Sequence, residues 1–487
     1  MGNQNISKYG RARIKAVFMA VFLLAFLLLP ACGRRDALQN RPEQEETGTG
    51  AEEAENTLSE SEEQRAAREQ AEFVTDYTSA PLLETTPIKY LSMEAGATAE
   101  EVRFNWMSPG SEPGQVIWKA ADTGRTEVYE AQCEASLSVE GYYINKAVVS
   151  DLRPGTGYLY KVGSDEGGWS PEYQYNVPED KGDGFTFLAV SDAQIGQAWN
   201  EEMSVTIDTW DKVLTRLRNY VPEAQFMVHM GDQVADYGSA EQYDGFMNHL
   251  GLYGIPLVPV VGNHDVPNET TIEMLGQPTV PYFYEHFNVP NRSDVFGISE
   301  YDKDGCYYFV RGDALFIVLN SGTIQPIEAY ETYIPAVIEF HPDIKWRVVI
   351  QHYPVYSSVE KYQQRLLGDQ DCYARIMEDN DIDLFLTGHD HAYTRTKFVN
   401  GRKEPYEDCD YSSGATAVNP EGTMCVTCST ASGCLYHEIA PSQQAAFQGQ
   451  PEVPMALKID VTENELHLAA YLMDSWTIYD EYTIHKD

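Results

Sequence analysis

Five short polar clusters stand at the ends of apolar runs, and between them they hold the side chains that could do chemistry. They are Asp192 and Gln194 in SDAQ, Asp232 after MVHMG, Asn263, His264 and Asp265 in GNHD, His352 after WRVVIQ, and His389 and His391 in GHDH. An aspartate at the end of a buried apolar strand is unfavourable unless something compensates its charge, and a cation does so. Two aspartates, an asparagine and three or four histidines mix oxygen and nitrogen donors. That mixture suits manganese, iron, zinc or a similar divalent ion better than calcium, which prefers oxygen throughout. One ion does not need so many groups, but two do. A carboxylate shared by two ions holds them about 3.5–4 Å apart and orients a bridging hydroxide for in-line attack on phosphorus. The histidines must be neutral to ligate, each with an acceptor for its other ring nitrogen.

The elements that must position these groups follow from the pattern around them. After PEDKGDG, from about residue 181, apolar strands alternate with helical stretches, which is an α/β arrangement. FTFLAV runs into Asp192, AQFMVHM into Asp232, IPLVPVV into Asn263, WRVVIQ into His352 and DLFLT into His389. In open α/β sheets the ligand site lies beyond the carboxyl ends of the strands, so the five endings are expected to converge. His229, His249 and His286 are expected to be packed or surface residues and not ligands.

The order and spelling of these blocks resemble the calcineurin-like metallophosphoesterase superfamily over roughly residues 183–487, and GNHD and GHDHAYTRT look most like its purple-acid-phosphatase branch. The resemblance implies a four-layer α/β/β/α sandwich for a catalytic domain at 181–487 with two divalent metal ions. It implies that Asp192 and His391 hold the first ion, that Asp232 bridges, and that Asn263, His352 and His389 hold the second. His264 then protonates the leaving oxygen or binds the phosphoryl group, with Asp265 orienting it, and Asn263 and His264 touch substrate. Tyr393 and Arg395 stand open between contacting substrate and packing a loop. Two departures stand out. The tyrosine that ligates ferric iron in purple enzymes is replaced by Ala235, with Tyr237 out of register, so no tyrosinate is expected. Gln194 stands where many members place a histidine ligand. It could ligate, hold a metal-bound water or line the site, and in each case the first ion is expected to be held less tightly.

Upstream, residues 81–180 read as short alternating strands separated by Gly, Pro, Asp and Ser, an all-β sandwich. SDLRPGTGYLYKVGSDEGGWS resembles the end of a fibronectin type III domain, in the form that precedes the catalytic domain in purple-acid-phosphatase-like enzymes. Residues 33–80 are glutamate-rich and nearly free of large apolar side chains, so they read as a disordered acidic linker. Residues 1–32 carry a basic start, an apolar run from Ala16 to Ala31 and LPAC, which resembles a bacterial lipobox. Cys32 would then be lipidated, and the body would be anchored on the extracytoplasmic face of the membrane.

The net charge of −41 argues against nucleic-acid binding and for a soluble monomer. Seven cysteines follow Cys32. Cys425 and Cys428 read as small buried residues, and a Cys409–Cys434 or Cys425–Cys434 bridge is left open. The expected function is hydrolysis of a small phosphate ester. The alternatives are a phosphodiesterase or nucleotide hydrolase using the same site, or a catalytically weak surface binding protein.

Overall fold

The computed structural model describes residues 86–179, 182, 184–197, 202–267, 282–293, 306–321, 329–366, 370–400, 402–406 and 409–487, all within one compact unit, Glu62–Asp487. The signal segment, Cys32 and the acidic linker lie outside the described residues.

Two sheets face each other. One runs, in spatial order, Thr416–Val418, Thr477–His485, Glu465–Leu472, Met455–Val461, Phe185–Val190, Met227–His229, Leu257–Pro259, Lys89–Ala95, Val102–Ser108, Tyr143–Val149 and Gln132–Ala135. The other runs Tyr307–Arg311, Ala314–Val318, Trp346–Ile350, Leu384–Thr387, Met424–Thr427, Tyr393–Thr396 and Ala445–Gly449. Side chains alternate across each strand. In the second sheet, Phe316, Val318, Val348, Ile350, Leu384 and Leu386 therefore point into the core shared with the first sheet and with the helix Met203–Tyr220, which contributes Trp210, Val213, Leu214 and Leu217. Their neighbours Leu315, Ile317, Val349 and Phe385 face the other way. They pack with Tyr333, Ile334 and Val337 of the helix Tyr330–Glu339 and with Ile376 and Met377 of the helix Gln370–Asp379. The result is the expected α/β/β/α layering.

The all-β segment has its own aromatic core, including Phe104, Trp106, Trp118, Tyr158, Tyr160 and Tyr173. It is not a separate bead, however. Strand Lys89–Ala95 pairs in parallel with Leu257–Pro259, at Glu94 and Leu257, so one sheet runs through both segments. The segment Glu285 to Asn288 is stitched to the neighbouring strands Val102–Ser108 and Tyr143–Val149. The Asn288 Nδ2 donates to the carbonyls of Phe104 and Ala147, and the Asn105 Nδ2 to the carbonyl of Glu285. Glu285 in turn accepts from the backbone amides of Leu137 and Ser138 at 2.9 and 3.0 Å. The aromatic run around Tyr284 therefore serves the junction: Phe283, Tyr284 and Phe287 are buried in the main core, and His286 stacks on Tyr243 at 3.8 Å between ring centroids.

At this junction Glu94 is fully buried. One carboxylate oxygen is bonded to Ser92 Oγ and the other has no hydrogen-bond partner among the described residues. Burial pushes Glu94 up to about 8, while the nearby Lys146 is pushed down to about 8, also by burial. The folded state thus holds the Glu94 proton more tightly than the unfolded chain does. Its stabilising contribution is complete below the ordinary glutamate range and is lost as pH rises towards about 8; for Lys146, lowered to about 8, the folded and unfolded states differ in charge only above that pH. Urea unfolding of the metal-loaded protein should show the wild type losing stability relative to Glu94→Gln from about pH 5, near the unfolded-state pKa, to about pH 8, the folded-state value, with the two curves converging at low pH. Parallel curves would show that Glu94 does not change its charge on folding.

Candidate metal centre

The chain ends of the parallel strands Phe185–Val190, Met227–His229 and Leu257–Pro259 lie side by side, and those of Trp346–Ile350 and Leu384–Thr387 face them from the second sheet. The turns that follow are sharp. Asp192, Gln194, Asp232, His389 and His391 all take positive φ, between 39° and 70°. That region costs an L-residue roughly 1–2 kcal/mol, so other contacts must impose it. The contacts are specific. The Asp192 amide donates to the Gly231 carbonyl at 3.1 Å and the Gln194 amide to the Asp232 carbonyl at 2.8 Å, which zips the two loops together. Two motif glycines are demanded by close approach: a Cβ on Gly262 would sit 2.1 Å from Asp232 Oδ1, and one on Gly388 would sit 1.8 Å from Ser191 Oγ.

Two donor clusters result. In one, Asp192 Oδ1 faces His391 Nε2 at 3.2 Å and accepts no hydrogen bond from any described residue, although it is completely buried. In the other, His352 Nε2 lies 3.2 Å from Asn263 Oδ1, 3.3 Å from Asp232 Oδ2 and 3.3 Å from His389 Nδ1. The ligand atoms of Asp232, His352 and His389 all fall within 4.8 Å of one another.

These side chains fit metal ions. His352 and His391 each donate Nδ1–H to a backbone carbonyl, of Met230 and Leu435, both at 2.8 Å, so in the neutral ring Nε2 is the nitrogen with the lone pair. Lone pairs on His352, His389 and Asn263 then crowd one point, which is repulsive unless a cation sits among them. Donors about 2.0–2.1 Å from a tetrahedral ion stand about 3.3–3.4 Å apart, matching the observed spacing.

The electrostatics agree. Burial opposes a charge on His352, but the Asp232 and Asp192 carboxylates outweigh it and lift the ring to about 9. Positive charge is favoured at this point, and a metal ion held by His352 would supply it in place of the proton. Burial and the neighbouring His352 hold His389 well below the usual histidine range, which keeps it neutral. For His391 burial again opposes charge, and Cys434 and Asp192 outweigh it, raising the ring.

The remaining sequence-derived site residues fall into place around these clusters, with three corrections. His264 is half-exposed at the mouth. Its amide donates to Asp232 Oδ1 at 2.8 Å, and its Nδ1 donates to the Ala235 carbonyl at 2.8 Å. The carbonyl at the Ala235 position, not Asp265, therefore orients the His264 ring. Asp265 instead accepts from the amides of Gly262, Asp232 and Gln233 at 2.7, 2.8 and 2.9 Å, pinning the GNHD turn to the Asp232 loop.

Tyr393 and Arg395 are the second correction, because both side chains are turned into the interior. Both are fully buried, and both bond Asp480, from Tyr393 Oη at 2.8 Å and from Arg395 Nε and Nη2 at 2.7 and 3.0 Å. They belong to the packing behind the site, where the guanidinium also lies 4.4 Å from the centre of the Tyr482 ring.

Gln194 is the third. Its Nε2 faces Asp232 Oδ2 at 3.3 Å, while its Oε1 accepts from the Cys434 thiol at 3.3 Å. A carboxylate can only accept, so the amide nitrogen belongs on the Asp232 side. An amide nitrogen is not a metal ligand, and Gln194 supplies a hydrogen bond to the carboxylate in place of an oxygen to an ion. Cys434 carries no disulfide to Cys409 or Cys425.

His229 is a packed strand residue. It is fully buried between Trp210 and Phe246, burial holds it at about 3, and its ring nitrogens have no hydrogen-bond partner among the described residues. His249 is likewise structural, bonding Asp211 and the Gly245 carbonyl. Sequence reading missed Asp390, between the two histidines of GHDH. It is buried, pushed up to about 7 by burial, and bonded to Ser357 Oγ at 2.8 Å and to the Ser358 amide at 3.0 Å. The signal for it was available, since an aspartate flanked by two ligands in a buried turn must find donors.

The comparisons place this architecture. Residues 185–393 match the calcineurin-like phosphoesterase family, and residues 90–177 match the purple acid phosphatase N-terminal domain. The chain is 22% identical over 333 residues to the Fe(3+)-Zn(2+) purple acid phosphatase 12 of Arabidopsis thaliana, across 63% of this chain and 66% of that protein, just under two thirds of its length. Its fold is similar to that of the purple acid phosphatase PPD1 from yellow lupin (Lupinus luteus) seeds, with a TM-score of 0.65 and 19% identity over 82% of this chain and 75% of that one. It is also similar to PhoD, with a TM-score of 0.54 and 12% identity over 85% and 92% of the two chains. The chain thus has a metallophosphoesterase fold preceded by an all-β segment, with the calcineurin-like phosphoesterase match on residues 185–393 and the purple acid phosphatase N-terminal match on residues 90–177.

Replacing Gln194 with histidine puts a ring nitrogen where the amide nitrogen now stands. Calorimetric titration of metal-free protein should show the weaker of two binding steps tightening in Gln194→His. An unchanged isotherm would show that residue 194 lies beyond the reach of either ion.

Proposed function

We propose that this chain hydrolyses small phosphate esters at a pair of divalent metal ions. Asp192 and His391 would hold one ion, Asn263, His352 and His389 the other, and Asp232 would bridge. The observation that supports this most directly is the pair of buried carboxylates, Asp192 and Asp232, facing histidine nitrogens at 3.2 and 3.3 Å at the ends of adjacent parallel strands. The ions, when bound, supply Lewis acidity towards phosphoryl oxygens and acidify a water. The chain's own residues do the rest. Asn263 and His264 line the open side of the site. With Nδ1 donating to the Ala235 carbonyl, His264 turns Nε2 to the open side, and the doubly protonated ring would give its Nε2 proton to the leaving oxygen. Gln194 and the His264 amide hold the bridging carboxylate in one orientation.

Metal-stripped protein, assayed with a chromogenic phosphomonoester and the matching diester after adding Mn, Zn, Fe or Mg, tests this. Turnover of the monoester should return with at least one metal. Asp232→Asn should lower kcat/KM at least about 100-fold, and His264→Ala should lower kcat by about 100-fold or more. Faster hydrolysis of the diester would move the substrate class to phosphodiesters. No turnover with any metal, together with an Asp232→Asn protein that binds metal like the wild type, would overturn the enzymatic reading.

We also propose that the body works outside the cytoplasm on a lipid anchor at Cys32. The apolar run Ala16 to Ala31, the LPAC ending and the acidic stretch behind it support this. Cys32→Ser should release the protein from the membrane fraction. Attachment that persists in Cys32→Ser would refute the lipid anchor.

A further inference from the structure

Three side chains beside the metal centre are used by neither ligand set. Tyr362 lies with its ring centroid 4.5 Å from that of His389. His437 stacks on His391, with 5.2 Å between centroids and 29° between planes. Lys361 bridges them: its Nζ is 3.4 Å from His437 Nε2 and 4.4 Å from the centre of the Tyr362 ring. An ammonium only donates, so His437 Nε2 is an acceptor here and the ring is neutral. Lys361 is exposed, and among the described residues no carboxylate forms an ion pair with it, although the chain carries 75 acidic residues against 34 basic ones.

The three residues are held in place by more than surface chance. Val359 and Ile439 form an antiparallel β-bridge, and the Ala440 amide donates to the Ser358 carbonyl at 2.8 Å, which joins the segment carrying Lys361 and Tyr362 to the one carrying His437. Asp390 clamps the first segment to the GHDH turn through Ser357 Oγ and the Ser358 amide. Ser358 Oγ is also bonded to Thr394 Oγ1 at 2.7 Å. Gln450 fixes the second segment, donating to the carbonyls of His391 at 2.6 Å and His437 at 3.0 Å. The wall is thus registered against both histidines of the metal-binding turn.

Resting on the phosphoesterase reading above, we infer that Lys361, with Tyr362 and His437 behind it, forms a leaving-group subsite selecting phosphate monoesters whose alcohol carries a second anion, such as a carboxylate. The phosphoryl group is drawn to the ions. The exposed ammonium beside the two histidines is then the complementary charge for an anion one short carbon chain away. The aromatic ring and the imidazole acceptor hold the ammonium in position and lower the entropy it loses on contact. The hydrolysis is unchanged in its balance: water oxygen bonds to phosphorus, the P–O bond to the alcohol breaks, and the alcohol leaves with a proton.

The probe is a matched pair, 3-phosphoglycerate and glycerol 3-phosphate, which differ by a carboxylate in place of a hydroxymethyl group. With metal-loaded full-length protein, kcat/KM should favour 3-phosphoglycerate, and raising the salt concentration should erode that preference, as expected for an exposed charge contact. Lys361→Met should cut the ratio of the two kcat/KM values about tenfold, mainly through KM for 3-phosphoglycerate, and Lys361→Arg should restore most of it. A role limited to structure would lower both substrates together and leave the ratio intact. An unchanged ratio in Lys361→Met, or no wild-type preference, overturns the inference while leaving the phosphoesterase reading standing. If neither compound is turned over with any metal, and the chromogenic monoester and diester are not either, that reading fails. Calorimetric binding of the same pair to wild type and Lys361→Met then decides the subsite on its own, with equal affinities in both proteins refuting it.

Discussion

Two carboxylates with almost no access to solvent, Asp192 and Asp232, set the terms for the rest of the molecule. Taking a carboxylate out of water is strongly unfavourable unless opposite charge and hydrogen bonds replace the lost hydration. Each aspartate is met in the same way. Asp192 Oδ2 accepts from Ser191 Oγ and from the His389 amide, Asp232 Oδ1 accepts from the His264 amide, and the other oxygen of each faces a histidine. The partners come from four separated stretches of chain, and only a sheet-based framework with fixed strand spacing delivers them to within hydrogen-bond range. The left-handed turns and the glycines that abut Asp232 and Ser191 are consequences of crowding so many polar groups at one set of strand ends.

The supporting structure follows the same logic at one remove. Asp265 shares its carboxylate among four amides so that the turn bearing Asn263 and His264 cannot drift from the Asp232 loop. Asp390 does the equivalent for the turn bearing His389 and His391. Arg395 and Asp480 form a fully buried ion pair behind that turn, with Tyr393 bonded to the same carboxylate. Such a pair adds little net stability, but losing either member would strand a buried charge, so the strand Tyr393–Thr396 is confined to one register. The N-terminal segment extends the framework sideways. Its pairing with Leu257–Pro259 covers the edge of the strand that leads to Asn263, where an unpaired edge would be a liability.

The candidate ligands were legible in the sequence because their signal is local. A ligand-type side chain directly after a run of buried apolar residues is visible without knowing the neighbours, and five such endings in one α/β pattern imply one meeting place. The layering was legible for the same reason: alternation in strands such as Ala314–Val318 and Trp346–Ile350 encodes two packed faces. Direction was harder to read. Tyr393 and Arg395 follow a ligand in sequence, yet their side chains point to Asp480, 85 or more residues away, and the sequence carries no local mark of that pairing.

What the sequence by itself determined was therefore the kind of chemistry, the strands that deliver it and the residue types that could ligate. What the tertiary structure decided was which nitrogen of each histidine faces inward, which carboxylates position and do not react, and which residues form the rim. Lys361 and His437 are 76 residues apart, and Gln194 and Cys434 are 240 apart. Their meetings depend on how two sheets close over each other. Closure sums many weak packing contacts along the whole chain, so no short stretch of sequence specifies it.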